Sequence, residues 1–253
     1  MPVGPGASVS IVVPAYNEEA RLPATLAAIT EFLGTQPFRG DIVVVDDGSE
    51  DRTATLADEF ATSHLSVTVV HNPHCGKAFA VRTGMLVATG DWLFLCDADL
   101  SMPITELTKF MHVAGQDVAV VIGSREAQGA VQVGTPFYRY VMGRVFNWLV
   151  RQLILGEFQD TQCGFKLFRG DVARQLFKQM QLYAKPDVVV GPMVTGFDVE
   201  ILYLARRAGH TVQELGIEWR YDAGTRVRPF ADTPRMLRDI LRVRLNDLLG
   251  RYS

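Results

Sequence analysis

Short runs of aliphatic and β-branched residues alternate with longer amphipathic stretches through the first half of the chain. Residues 10–13, 42–45, 67–70, 92–96 and 118–122 read as strands. Between them, 18–33, 52–61, 77–88 and 104–113 read as helices. In the first of these, Leu22, Leu26 and Ile29 fall on one face. The strands are apolar throughout and do not alternate with polar residues. Strands of that kind, separated by helices, predict a Rossmann-like α/β fold: a mostly parallel sheet covered by helices on both faces.

The rhythm changes after Gly123. Residues 137–155 form a long amphipathic stretch rich in aromatic and basic side chains. A short segment around a glycine follows at 160–168. Residues 172–180 and 199–208 read as helices, 211–217 as a strand, and 234–249 as a final amphipathic helix carrying several arginines. No composition shift or low-complexity linker divides the 253 residues, so a single domain over 1–253 is expected.

A hydrophobic content of 48% with 21% charged residues is ordinary for a globular protein and excludes disorder as the main state. Three cysteines, Cys75, Cys96 and Cys163, are too few and too odd in number for a disulfide framework, and fit a reducing compartment. The first ten residues have neither a basic region nor an apolar core, so no leader is expected there. No apolar run reaches the roughly 18 residues of a spanning helix. The net charge of −3 hides an asymmetry. Residues 1–124 hold 6 Lys/Arg against 15 Asp/Glu, and residues 125–253 hold 19 against 13. The acidic half suits a cation and the basic half suits anions.

Ligands of open parallel sheets sit beyond the carboxyl ends of the strands, and four segments lie there. Pro14, Ala15, Tyr16, Asn17 and Glu18 follow the first strand, with Asn17 placed to cap the next helix. Asp46 and Asp47 end the second strand. Two adjacent carboxylates are costly unless something uses them, and one can accept hydrogen bonds from a base or ribose; the alternative is that the segment serves the next helix, capped by Ser49 and Asp51. Gly76 and Lys77 open the third helix. A cation there opposes the helix dipole, and a neighbouring phosphate would remove the conflict. Asp97, Ala98 and Asp99 follow the fourth strand. Alternate residues of an extended strand share a face, so both carboxylates can point one way and offer hard oxygens to Mg²⁺ or Mn²⁺.

The segments VSIVVPAYNEE, IVVVDDGSEDRT, GKAFAVRTGM, WLFLCDADLS and DTQCGFKLF occur in this order. With them the chain resembles the family-2 inverting glycosyltransferases of the GT-A fold over about residues 8–230. Within that family it is most similar to the polyprenyl-phosphate sugar synthases, in particular the dolichyl-phosphate β-glucosyltransferases, through DTQCGFKLF, FDVEILYLA and residues 219–228.

The resemblance implies two halves, residues 8–124 for nucleotide sugar and metal and 125–253 for the acceptor. Pro14, Ala15, Tyr16 and Glu18 would line the nucleoside, with Asp47 on the base or ribose. Asp97 and Asp99 would hold the metal on the donor diphosphate, with Ala98 between them and Lys77 nearby. Some relatives place a further ligand, Gln, where this chain has Ser101. Arg125 and Arg139 match residues that hold an acceptor phosphate, and a Ser that assists in some relatives is Gly143 here. Arg226 and Arg228 lie in a segment resembling the one that closes over the diphosphate.

The reaction so implied moves a hexose, glucose from UDP-glucose, to a membrane polyprenyl or dolichyl phosphate. A phosphate acceptor is already an anion and needs orientation more than deprotonation. A hydroxyl acceptor would need a base, for which Asp198 and Asp160 are the candidates. That is the second reading. A non-catalytic nucleotide-sugar-binding module is the third. A dinucleotide oxidoreductase is disfavoured because VVPAYNEE replaces the glycine-rich turn, and nucleic acid is disfavoured by the acidic balance. Peripheral attachment at the cytoplasmic face of a membrane is expected through the aromatic and basic stretches 137–155 and 234–249.

Overall fold

The computed structural model describes residues 6–115, 117–191, 195–221 and 229–252. Seven strands form one sheet. In chain order they are β1 (Ser8–Ala15), β2 (Arg39–Asp46), β3 (Val67–His71), β4 (Trp92–Leu95), β5 (Val120–Ser124), β7 (Lys166–Arg169) and β8 (Val212–Gly216). The spatial order is β3-β2-β1-β4-β7-β5-β8. All neighbours are parallel except β7, which runs antiparallel to both β4 and β5. Two three-residue strands, β6 (Val131–Val133) and β9 (Glu218–Arg220), pair separately.

Side-chain alternation along the strands splits the core in two. Ile11, Val13, Ile42, Val44, Phe94, Val121 and Leu167 point into one layer with α1 (Leu22–Gly34) and α4 (Leu107–Val113). Val12, Val43, Val45, Leu93, Leu95, Val120, Ile122 and Phe168 point into the other. That layer holds α3 (Lys77–Val87), α6 (Gly170–Gln179), α7 (Phe197–Arg207), and the inward residues Val150 of α5 (Phe137–Leu153) and Ile240 and Val243 of α8 (Pro229–Leu248). Both faces of the sheet are therefore dry, as apolar strands require. The helix α2 (Thr53–Ser63) packs beside α1 and β3.

The sheet is mostly parallel, as expected, and the short segment at 160–168 ends in its antiparallel strand β7. Two expectations are corrected. The first helix begins at Leu22 and not at Glu18. The backbone N–H groups of Asn17, Glu18 and Glu19 donate to Ser49, Thr53 and Asp51, so these residues are bonded to the opposite loop before Pro23 sets the first helical turn. Asn17, with φ 52°, does not cap that helix; its Oδ1 accepts from the N–H of Glu50 instead.

The chain runs outward from β1 to β2 and β3, then returns to β4 on the other side of β1. The carboxyl ends of β1 and β4 thus flank the switch point of the sheet, where the two connections diverge and leave a crevice.

Candidate active site

Register brings the site together. Ala15 lies opposite Asp46, and the N–H of Cys96 donates to the carbonyl of Val12, so Asp97–Asp99 emerge beside Pro14 and Ala15. Pro14 and Ala15 are buried; Tyr16 and Glu18 are half-buried at the crevice.

Asp97 and Asp99 follow β4 as expected. Asp99 accepts from the N–H of Ser101 at 3.0 Å, and the intervening Leu100 takes the left-handed conformation, φ 45°. Burial, and then the charge of Asp97, hold the Asp99 carboxyl above its ordinary range. Lys77 Nζ reaches Asp97 Oδ1 at 2.5 Å. Burial works against the Lys77 charge, but Asp97, Asp198 and Asp99 together outweigh it and hold the ammonium on. Gly164 presses against the same carboxylate: a Cβ there would stand 2.6 Å from the Asp97 carboxyl carbon. The DTQCGF segment is thus fitted against the acidic pair.

Asp198 lies beside this cluster at the start of α7, where its carboxylate takes Lys166 Nζ at 2.5 Å in a buried pair. Burial pushes the Asp198 carboxyl up, and Lys166 opposes that shift. Lys166 also donates to the carbonyl of Cys163. Asp160 is fully buried and grips Arg125 bidentately, from Nε at 2.7 Å and Nη2 at 2.9 Å. Burial alone would raise the Asp160 carboxyl, but the Arg125 charge and hydrogen bonds hold it below its ordinary range. The guanidinium also stacks over Trp219, 5.5 Å from the ring centroid.

Asp47, the residue expected on a base or ribose, stands just past the carboxyl end of β2, against residues 74–76. Its carboxylate is turned inward, accepting from the N–H groups of Cys75 (3.0 Å) and Gly76 (2.9 Å) and meeting His74 Nδ1 at 2.8 Å. Arg139 lies in the first turn of α5, its side chain outside the described residues. Arg226 and Arg228 also lie outside the described residues. Gly143 is half-buried on α5.

Sequence reasoning missed His74, Gly164 and Lys166. Lys166 had a usable signal, a lone cation within the apolar run FKLF. His74 and Gly164 had none, because their partners lie 27 or more residues away.

Among the described residues no three His, Cys, Asp or Glu side chains converge to hold a metal. The donor set still fits a divalent cation shared with a ligand. Asp97 and Asp99 supply hard oxygens, and their mutual repulsion contributes to the upward shift of Asp99.

A family model described as glycosyl transferase family 2 matches residues 10–177. The dolichyl-phosphate β-glucosyltransferase of Dictyostelium discoideum is 31% identical over 96% of this chain and 75% of its own length. That of Drosophila melanogaster is 33% identical over 98% and 78%. Among solved structures, mannosyl-3-phosphoglycerate synthase of Rubrobacter xylanophilus superposes with a TM-score of 0.62 at 22% identity, covering 97% of this chain and 75% of that one. Glucosyl-3-phosphoglycerate synthase of Mycobacterium tuberculosis, in complex with Mn²⁺, UDP-glucose and glycerol 3-phosphate, gives 0.60 at 18% identity over 97% and 80%. At such identity these neighbours establish the GT-A fold.

Proposed function

Because the chain belongs to glycosyl transferase family 2 and is a glycosyltransferase, we propose that it transfers glucose, with inversion, from UDP-glucose to a membrane polyprenyl or dolichyl phosphate. The observation that carries the donor half of this reading is the Asp97–Asp99 pair at the switch point with Lys77 against it. Similarity over nearly the full length to dolichyl-phosphate β-glucosyltransferases supports the acceptor half.

Asp97 and Asp99 would hold Mg²⁺ or Mn²⁺, which supplies charge neutralisation to a departing diphosphate. Lys77, at the same carboxylates, adds a cation on the donor side. Asp160 takes one edge of the Arg125 guanidinium and fixes its plane, which leaves Nη1 to orient an acceptor phosphate. Arg139 serves the same anion from α5.

The state of the two candidate bases favours a phosphate over a hydroxyl acceptor. Asp160 is held ionised by Arg125 and makes a weak base; Asp198 is spent on Lys166. The raised Asp198 carboxyl is the one observation on the side of a hydroxyl acceptor.

Membrane contact belongs to this reading. The outer sides of α5 and α8 expose Phe137, Tyr138, Trp148, Leu241, Leu245 and Leu248, with Arg144 nearby on α5. Arg244 of α8 donates to the carbonyl of Leu153 and joins the two helices. Aromatic, aliphatic and basic side chains in this mixture suit the headgroup region. The other side of α8 packs on the core, where it buries Met236, Ile240 and Val243. Among the described residues no helix is long and apolar enough to cross a membrane.

The test is a matrix of nucleotide sugars against polyprenyl phosphate, with product extracted into organic solvent. Transfer from UDP-glucose into the lipid phase is the expected result. Transfer only to a water-soluble hydroxyl acceptor without lipid would promote the second reading. Thermal stabilisation by GDP and not UDP, with metal present, would reassign the base.

A further inference from the structure

At the switch-point crevice the ring of His74 lies flat on Tyr16, with centroids 3.8 Å apart and planes 3° apart. Its Nδ1 faces Asp47 Oδ2 at 2.8 Å and the Asp47 carbonyl at 3.0 Å; its Nε2 faces the Gly191 carbonyl at 3.1 Å. Both ring nitrogens are thereby engaged, Nδ1 at Asp47 and Nε2 at the Gly191 carbonyl. The backbone repeats the link: the N–H of Val189 donates to the His74 carbonyl at 2.9 Å. The imidazole is largely buried, 13% exposed, which makes each of these contacts costly to lose.

One residue therefore holds three separate pieces. They are the Tyr16 ring that follows β1, the carboxylate that follows β2, and the 187–191 segment. The last belongs to the second half of the chain and precedes α7, whose second residue is Asp198. The first two stand at the crevice where an open α/β sheet takes its ligand.

We propose that His74 is a positioning residue of the donor site: it fixes the ring plane of Tyr16 at the nucleoside end and ties that end to residues 187–191, so that donor binding is felt in the second half of the chain. The assignment rests on the reading that a uridine diphosphate sugar occupies the crevice. A ring stacked on one face restricts Tyr16 to a single plane, which prepares its position for a planar base at no further ordering cost.

The test uses the full chain with UDP and Mn²⁺. Calorimetry gives UDP affinity, melting gives stability, and amide exchange reads residues 187–191. In the wild type, UDP is expected to slow exchange across 187–191, Val189 included. His74→Phe keeps a flat ring but loses both polar links. It should bind UDP within about threefold of wild type while losing the UDP-dependent protection of 187–191. His74→Gln loses the ring and should weaken UDP by about tenfold. A histidine that served stability alone would lower the melting temperature of both variants without separating them in this way. UDP binding by the wild type with unchanged exchange at 187–191 would overturn the assignment, as would two folded variants that bind UDP like wild type. The wild-type exchange measurement decides the question if neither variant folds. A wild type that binds no nucleoside diphosphate overturns the donor-site reading itself, and this assignment with it.

Discussion

Gly164 leaves no room for a side chain beside Asp97: a Cβ would meet the carboxyl carbon at 2.6 Å and Oδ1 at 2.8 Å. The neighbour is a charged group bonded to Lys77 and not the loose end of a flexible chain. Gly164→Ala must therefore move either Asp97 or the start of β7. We expect turnover to fall about 100-fold, with weaker Mn²⁺ binding, while the chain stays folded. Steady-state kinetics with Mn²⁺ titration and a melting curve check this; wild-type turnover in the variant would refute the tight fit.

Asp99→Ala removes one of the two hard-oxygen groups at the end of β4. Activity is expected to drop about 100-fold or more with the fold intact, and chelator is expected to abolish wild-type activity. Full activity of the variant in excess chelator would sink the metal assignment.

Arg139→Ala is expected to cost far more than the ~1 kcal/mol of an exposed ion pair, because a desolvated acceptor phosphate loses a charged partner. Asp198→Asn should be milder. Transfer assays with lipid acceptor rank the two; the reverse order would favour a base-assisted hydroxyl acceptor.

The bidentate Arg125–Asp160 pair predicts a stability effect. Asp160→Asn leaves the Arg125 guanidinium, 28% exposed, without its counter-charge and should destabilise the fold by about 2–4 kcal/mol, read by denaturant unfolding. The Asp160 carboxyl lies below its ordinary value of 3.8 in the folded chain. Its contribution is thus complete above the unfolded value and is lost as pH falls through the lower, folded one. The difference between wild type and Asp160→Asn should shrink only in that acid range.

Glu200 gives the opposite sign. It is fully buried and accepts from the Tyr252 hydroxyl at 2.6 Å and from the N–H groups of Gln181 and Leu182. Burial outweighs these bonds and pushes its carboxyl from 4.5 up to about 7. Between those values the folded state holds the proton more tightly than the unfolded state. Glu200 therefore subtracts stability as pH rises from 4.5 to about 7, by about 1–3 kcal/mol. Glu200→Gln should flatten that part of the stability–pH curve; an unchanged slope would count against it.

The four strands β1 to β4 and the carboxylates after them were legible because each strand is a continuous apolar run closed by a polar turn. β7 was not. Lys166 interrupts its apolar run, and its pairing with β4 and β5 joins segments more than 40 residues apart. β6 and β9 are three residues each, too short to show a period. Asp47 was legible as an unusual residue but not in its direction. Two adjacent carboxylates at a strand end look alike whether they face a ligand or a loop, and only the fold of residues 74–76 decides. The same holds for Asn17, whose partner at Glu50 is 33 residues away.

The antiparallel placement of β7 also sets an order on synthesis. β4, which carries Asp97 and Asp99, has β1 on one side and β7 on the other. While the ribosome has delivered only the first half, that second side is an open edge of Trp92, Leu93, Phe94 and Leu95. An unpaired apolar edge is a template for another chain. The nascent protein thus carries its aggregation hazard at the strand that bears the acidic pair, and loses it when residues 166–169 slide in. The glycine that fits against Asp97 arrives in the same event, so the hazard ends and the acidic pair gains its last neighbour together.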